Sequence, residues 1–85
     1  MTEDKPALQP PIPLCNHVTT VVDTYFHNLD GYDVTDLYRL VIAEVERPLL
    51  ERVLHYAGGN QTRAAEMLGI NRTTLRKKLR QHRIE

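Results

Sequence analysis

The sequence predicts an all-α chain of four helices, the last two joined as a helix-turn-helix. Three observations carry this. Apolar residues recur at helical spacing in three stretches: 14 to 29, 37 to 54, and 64 to 79. Gly31 and Gly58-Gly59 fall where the first two patterns end, and Gly69 divides the third into two helices. Asn60 and Asn71 stand one residue before the two short C-terminal patterns, where side-chain oxygens cap helices.

Residues 1 to 13, MTEDKPALQPPIP, hold four prolines and no periodic apolar face, so they read as a flexible arm. Such an arm can be a contact for a partner protein or simply an untethered terminus, and the composition favours the second. From Leu14, the residues Leu14, Val18, Val21, Val22, Tyr25, Phe26 and Leu29 form one stripe of a first helix, closed by Asp30-Gly31. Val and Thr are indifferent helix formers, so burial rather than propensity must stabilise it. Tyr25 and Phe26 sit in the acidic half of the chain and read as core rather than as a base-stacking platform.

Thr35 or Asp33 can cap the next helix, with Asp36 favourable in its first turn. This longest element, from about 36 to 56, carries two adjoining stripes. Leu37, Val41, Val45, Leu49 and Val53 form one; Tyr38, Ile42, Leu50 and Leu54 form the other. That breadth exceeds what one neighbour can cover. One stripe is expected to meet the first helix and the other a second copy, so 14–57 reads as a two-helix dimerisation core. Its shared residues are expected to be Tyr38, Ile42, Val45, Leu49, Leu50 and Val53. Pro48 removes a hydrogen bond to the Glu44 carbonyl and is expected to kink this helix without ending it.

Residues 60–85 then form the last unit, with the helix-turn-helix over 61–80. Ala64, Ala65 and Leu68 make the inner face of its first helix, and Ala65 is small enough for a close helix crossing. Gly69 supplies the left-handed turn and Ile70 fills the corner. On the second helix Leu75 and Leu79 point inward, while Arg72, Thr74, Arg76, Lys77, Lys78 and Arg80 are expected to project outward. A basic helix braced in this way points to duplex DNA, because it can enter a major groove with its N-terminal end against base edges. Arg72 can donate two bonds to one guanine, whereas the other cations suit phosphates.

Eighty-five residues allow one small domain, for which oligomerisation adds buried surface. The formal net charge is zero but unevenly placed. Residues 1 to 56 carry four basic and nine acidic side chains, and residues 57 to 85 carry seven basic and two acidic. The halves therefore stand at −5 and +5, which concentrates the positive field on one surface. A lone Cys15 excludes an internal disulfide, and no Cys/His set stands at zinc-ligand spacing. His17, His27, His55 and His82 are expected at the surface or at helix ends. No catalytic motif, cofactor site, signal peptide or membrane-spanning stretch is recognisable, so a cytoplasmic protein that is not an enzyme is expected.

DVTDLYRLVIAEVERPLL and GGNQTRAAEMLGINRTTLRKKL, with the placement of Pro48 in the long helix, resemble the Fis family of bacterial nucleoid proteins over about Leu14 to Arg80. The second segment is also similar to the DNA-binding domains of NtrC-type activators, whereas the first favours Fis. The resemblance implies an intertwined all-helical homodimer that binds degenerate sites and bends DNA, regulating transcription and chromosome organisation. It also implies contacts with RNA polymerase or a recombinase. Carried over by position, Asn71 and Arg72 resemble base-edge contacts. Asn60, Thr62, Thr74, Arg76, Lys77, Lys78 and Arg80 resemble backbone contacts or their supports. Members that stimulate DNA inversion carry a β-hairpin arm where this chain is short and proline-rich. Gly58 stands where some members place a basic residue. Two rival readings are a detached DNA-binding domain of an NtrC-type activator and a helical protein-interaction module.

Overall fold

The computed structural model describes residues 13–31 and 33–85, so all of the expected arm 1–13 but Pro13 lies outside the described residues. The chain divides into two compact units between Thr35 and Asp36.

The first unit holds helix α1, Leu14–His27. It stops two residues short of the expected Leu29: the Asn28 amide closes the last turn onto the Thr24 and Tyr25 carbonyls at 3.1 and 3.2 Å. Asp30 and Gly31 then both take positive φ, 56° and 90°, and turn the chain. Asp is among the few residues that enter this region at modest cost. Thr19 Oγ1 donates to the Cys15 carbonyl at 2.9 Å, the back-bond that satisfies a threonine hydroxyl inside a helix. No residue of α1 is buried, and Leu14, Val21 and Phe26 on its stripe are exposed.

The second unit contains α2 (Leu37–Tyr56), α3 (Gln61–Leu68) and α4 (Arg72–His82). Neither Asp33 nor Thr35 caps α2. Its N-cap is Asp36, in the left-handed region at φ 60°, with no side-chain cap bond. The Asp36 carboxylate instead accepts from Arg39 at 3.1 Å, one turn along. α2 runs unbroken through Pro48, as the uninterrupted periodicity on either side requires.

The core of this unit is Leu50 and Leu54 from α2, Ala64 and Ala65 from α3, and Leu75 and Leu79 from α4. Val53, Ala57, Leu68, Ile70 and Ile84 pack around it. Two residues expected at the seam between chains thus take their places inside one chain. Leu50 is 3% exposed, and Val53 packs against it, because α3 and α4 fold back onto the C-terminal half of α2. Tyr38 and Leu49 remain exposed, and Ile42 and Val45 half-buried.

All three helices of the unit end in the same hydrogen-bond pattern. In α3, the Gly69 amide donates to the Glu66 carbonyl at 3.1 Å, and the Ile70 amide reaches back to Ala65 at 3.0 Å. Gly58 and Gly59 do the same for α2, and Arg83 and Ile84 for α4. The pattern satisfies carbonyls left open at a helix end and needs a left-handed residue, here Gly69 at φ 74°. Its apolar follower is driven into the core, which is why Ile70 and Ile84 pack there.

Candidate nucleic-acid interface

The geometry of the α3–α4 pair follows from its caps and its small residues. Asn60 Oδ1 accepts from the Arg63 amide at 3.1 Å and Asn71 Oδ1 from the Thr73 amide at 2.7 Å, so both helices start where the sequence predicts. Ala64 and Ala65 are 1% and 4% exposed: nothing larger fits where α3 meets its neighbours. α4 lies on this platform with Leu75 and Leu79 inward. Asn71, Arg72, Thr73 and Thr74 are all exposed, which leaves the N-terminal end of the helix accessible.

Arg76, Lys77 and Arg80 continue that accessible surface along α4. Among the described residues, the carboxylate partners fall to Arg39, Arg47, Arg63, Lys78 and His82, and none falls to Arg72, Arg76, Lys77 or Arg80. The α4 row therefore presents uncompensated positive charge. Asn60 and Thr62, at the start of α3, are exposed as well.

Lys78 departs from expectation. Its ammonium does not project outward; it donates to Glu46 Oε2 of α2 at 2.6 Å. The other Glu46 oxygen, Oε1, lies 3.0 Å from Nε2 of His82, and the tautomer protonated at Nε2 donates to it. His82 stands at the end of α4, one of the two places expected for it, and is buried there. Arg47 of α2 completes the group, with Nη2 donating to the His82 carbonyl at 2.6 Å and Nη1 3.7 Å from Glu51. The hydrogen bonds from Lys78 and then His82 hold the Glu46 carboxyl below its ordinary value of 4.5, against the opposing effect of burial.

The cluster had a signal in the sequence. Positions 75, 78, 79 and 82 stand at i, i+3, i+4 and i+7, which is one face of a helix. Reading Lys78 by its charge hid its place on the inner face. Glu46 was legible only as one of several carboxylates on α2.

The fold and the exposed row together define a helix-turn-helix protein whose second helix is cationic on its open side. Residues 41–82 match the family model described as bacterial regulatory protein, Fis family. The proteins named DNA-binding protein Fis from Proteus mirabilis and Yersinia enterocolitica are each 59% identical over 70 residues, covering 82% of this chain and 71% of theirs. That of Proteus vulgaris is 60% identical over 68 residues, 80% of this chain and 73% of its own. The chain belongs to the Fis family. A likeness spanning 70 residues reaches beyond the matched segment 41–82, which speaks against a detached domain related only through its helix-turn-helix.

Proposed function

We propose that this chain binds duplex DNA as a homodimer, bends it, and thereby regulates transcription and chromosome organisation. The observation that carries the reading is the row Arg72, Arg76, Lys77 and Arg80, exposed along α4 with no carboxylate partner among the described residues. In this reading Asn71 and Arg72 meet base edges. Thr74, Arg76, Lys77, Arg80 and, from α3, Asn60 and Thr62 meet the sugar-phosphate backbone. Most of the affinity then comes from phosphates and is sensitive to salt, while Arg72 supplies preference for a guanine.

Family membership supports a regulator rather than a catalyst, and likewise contacts with RNA polymerase or a recombinase on other faces. Among the described residues no helix is long and apolar enough to cross a membrane and no cluster of metal-binding side chains occurs. Two recognition helices in a straight duplex need a separation of about 34 Å. A pair set closer, as the family resemblance implies, requires bent DNA, so deformable steps add to specificity.

The test compares Arg72→Ala with Lys77→Ala on a site selected from random sequence and on a random duplex. Arg72→Ala is expected to cost about 1–3 kcal/mol on the selected site and little on the random one. Lys77→Ala is expected to weaken both alike. Equal losses for the two variants on both duplexes would refute the assignment.

A further inference from the structure

Glu46 is the one side chain of α2 that grips α4 at two points. Its Oε2 accepts from Lys78 at 2.6 Å and its Oε1 faces His82 Nε2 at 3.0 Å. The two gripped residues are one turn apart on α4, on the same face as Leu75 and Leu79. Leu75 and Leu79 pack against the core without directional bonds, so the roll of the helix is set less sharply by them than by a hydrogen bond. Two charge-assisted hydrogen bonds to a single carboxylate are directional, and they remove that freedom. Arg47 Nη2, donating to the His82 carbonyl at 2.6 Å, pins the end of the same helix.

We propose that Glu46 is a positioning residue for DNA binding, which fixes the roll of α4 through Lys78 and His82 and withholds Lys78 from the phosphates. The inference rests on the DNA-binding reading given above. It divides the basic residues of α4 into two classes that the sequence alone merges. Arg76 and Lys77 are exposed and neutralise phosphates; Lys78 is half-buried, its charge already matched by Glu46. Setting the roll matters because Arg72 must meet a base edge within the narrow tolerance of a bidentate hydrogen bond, whereas a phosphate contact accepts a wider range of angles. Glu46 thus acts on specificity more than on affinity.

The experiment measures binding of the full chain to a selected and a random duplex by fluorescence anisotropy across a salt series, for the wild type, Lys77→Gln, Lys78→Gln and Glu46→Gln. Each phosphate contact adds about 0.9 to the slope of log K against log salt. Lys77→Gln is expected to lower the slope by about that amount per protomer, and Lys78→Gln to leave it unchanged. Glu46→Gln, which frees the Lys78 ammonium, is expected to steepen the slope by about 0.9 per protomer and to cut the preference for the selected duplex roughly tenfold. A loss of fold alone moves neither the slope nor the preference of the molecules that remain folded. If Glu46→Gln does not fold, the contrast between Lys77→Gln and Lys78→Gln decides alone. A slope lowered equally by those two variants overturns the inference, as does a Glu46→Gln protein with wild-type slope and preference. A wild-type chain with no salt-dependent binding sinks the DNA-binding reading itself.

Discussion

Lys77 and Lys78 are neighbours on one helix with different roles: the first faces solvent and the second closes a carboxylate 32 residues away in sequence. Charge, visible at a glance, predicts the first and misleads on the second. The partner Glu46 can be assigned only once α2 and α4 are packed. The caps are the opposite case, because their cause is local. Asn60 and Asn71 accept amides two or three residues ahead, as any reader of the sequence can anticipate. Asn60→Ala or Asn71→Ala should each cost about 1 kcal/mol, seen in calorimetry as a melting point lowered by about 4–8 °C. The Glu46 cluster carries a pH signature. Hydrogen bonds in the folded state lower the Glu46 pKa below its ordinary 4.5. Its contribution is therefore present above that unfolded value and is lost as pH falls through the folded one. Glu46→Gln should be less stable than wild type at neutral pH, and the gap in urea melts should close in acid. A gap constant down to about pH 3 would deny the cluster its charge.

At the scale of elements, the helices were legible because their apolar spacing, terminal glycines and caps agree with one another. The start of α2 was not. Asp33, Thr35 and Asp36 all have capping side chains, and what separates them is the left-handed φ of 60° at Asp36, which no local rule dictates. The α3–α4 turn rests on Gly69 at φ 74°, where an added Cβ would meet no atom within 4 Å. Gly69→Ala thus probes backbone conformation alone and should cost about 1–2 kcal/mol in denaturant unfolding, without change in the residues that face solvent. Leu75, 1% exposed at the centre of the α2–α3–α4 unit, tests the packing. Leu75→Ala should cost about 2–5 kcal/mol, and the three helices should melt in a single transition.

For the whole molecule, the apolar surface on α2 divides otherwise than its two stripes suggest. The C-terminal part, around Leu50 and Leu54, is consumed by the chain's own helix-turn-helix. Tyr38 at 81% and Leu49 at 46% exposure, with Ile42 and Val45 half-buried, stay outside that core. Exposed apolar side chains in one band on a small chain call for a partner surface. If this band is the seam of the proposed homodimer, Leu49→Asp should place a charge in it and raise the dimer dissociation constant at least tenfold, by a penalty of about 1.4 kcal/mol or more. The segregation of charge, with nine acidic residues before position 57 and only two after it, concentrates the positive field on the C-terminal third of the chain.

The pairing of two cationic α4 helices on one duplex is most directly tested by sedimentation velocity of the full chain, alone and with a short duplex, at several salt concentrations. The chain is expected to run as a dimer when free and as two chains per duplex at low salt. Dissociation should steepen to a slope near −7 if ~8 phosphates are neutralised. A chain that sediments as a monomer and leaves the duplex unshifted in dilute buffer would contradict the account.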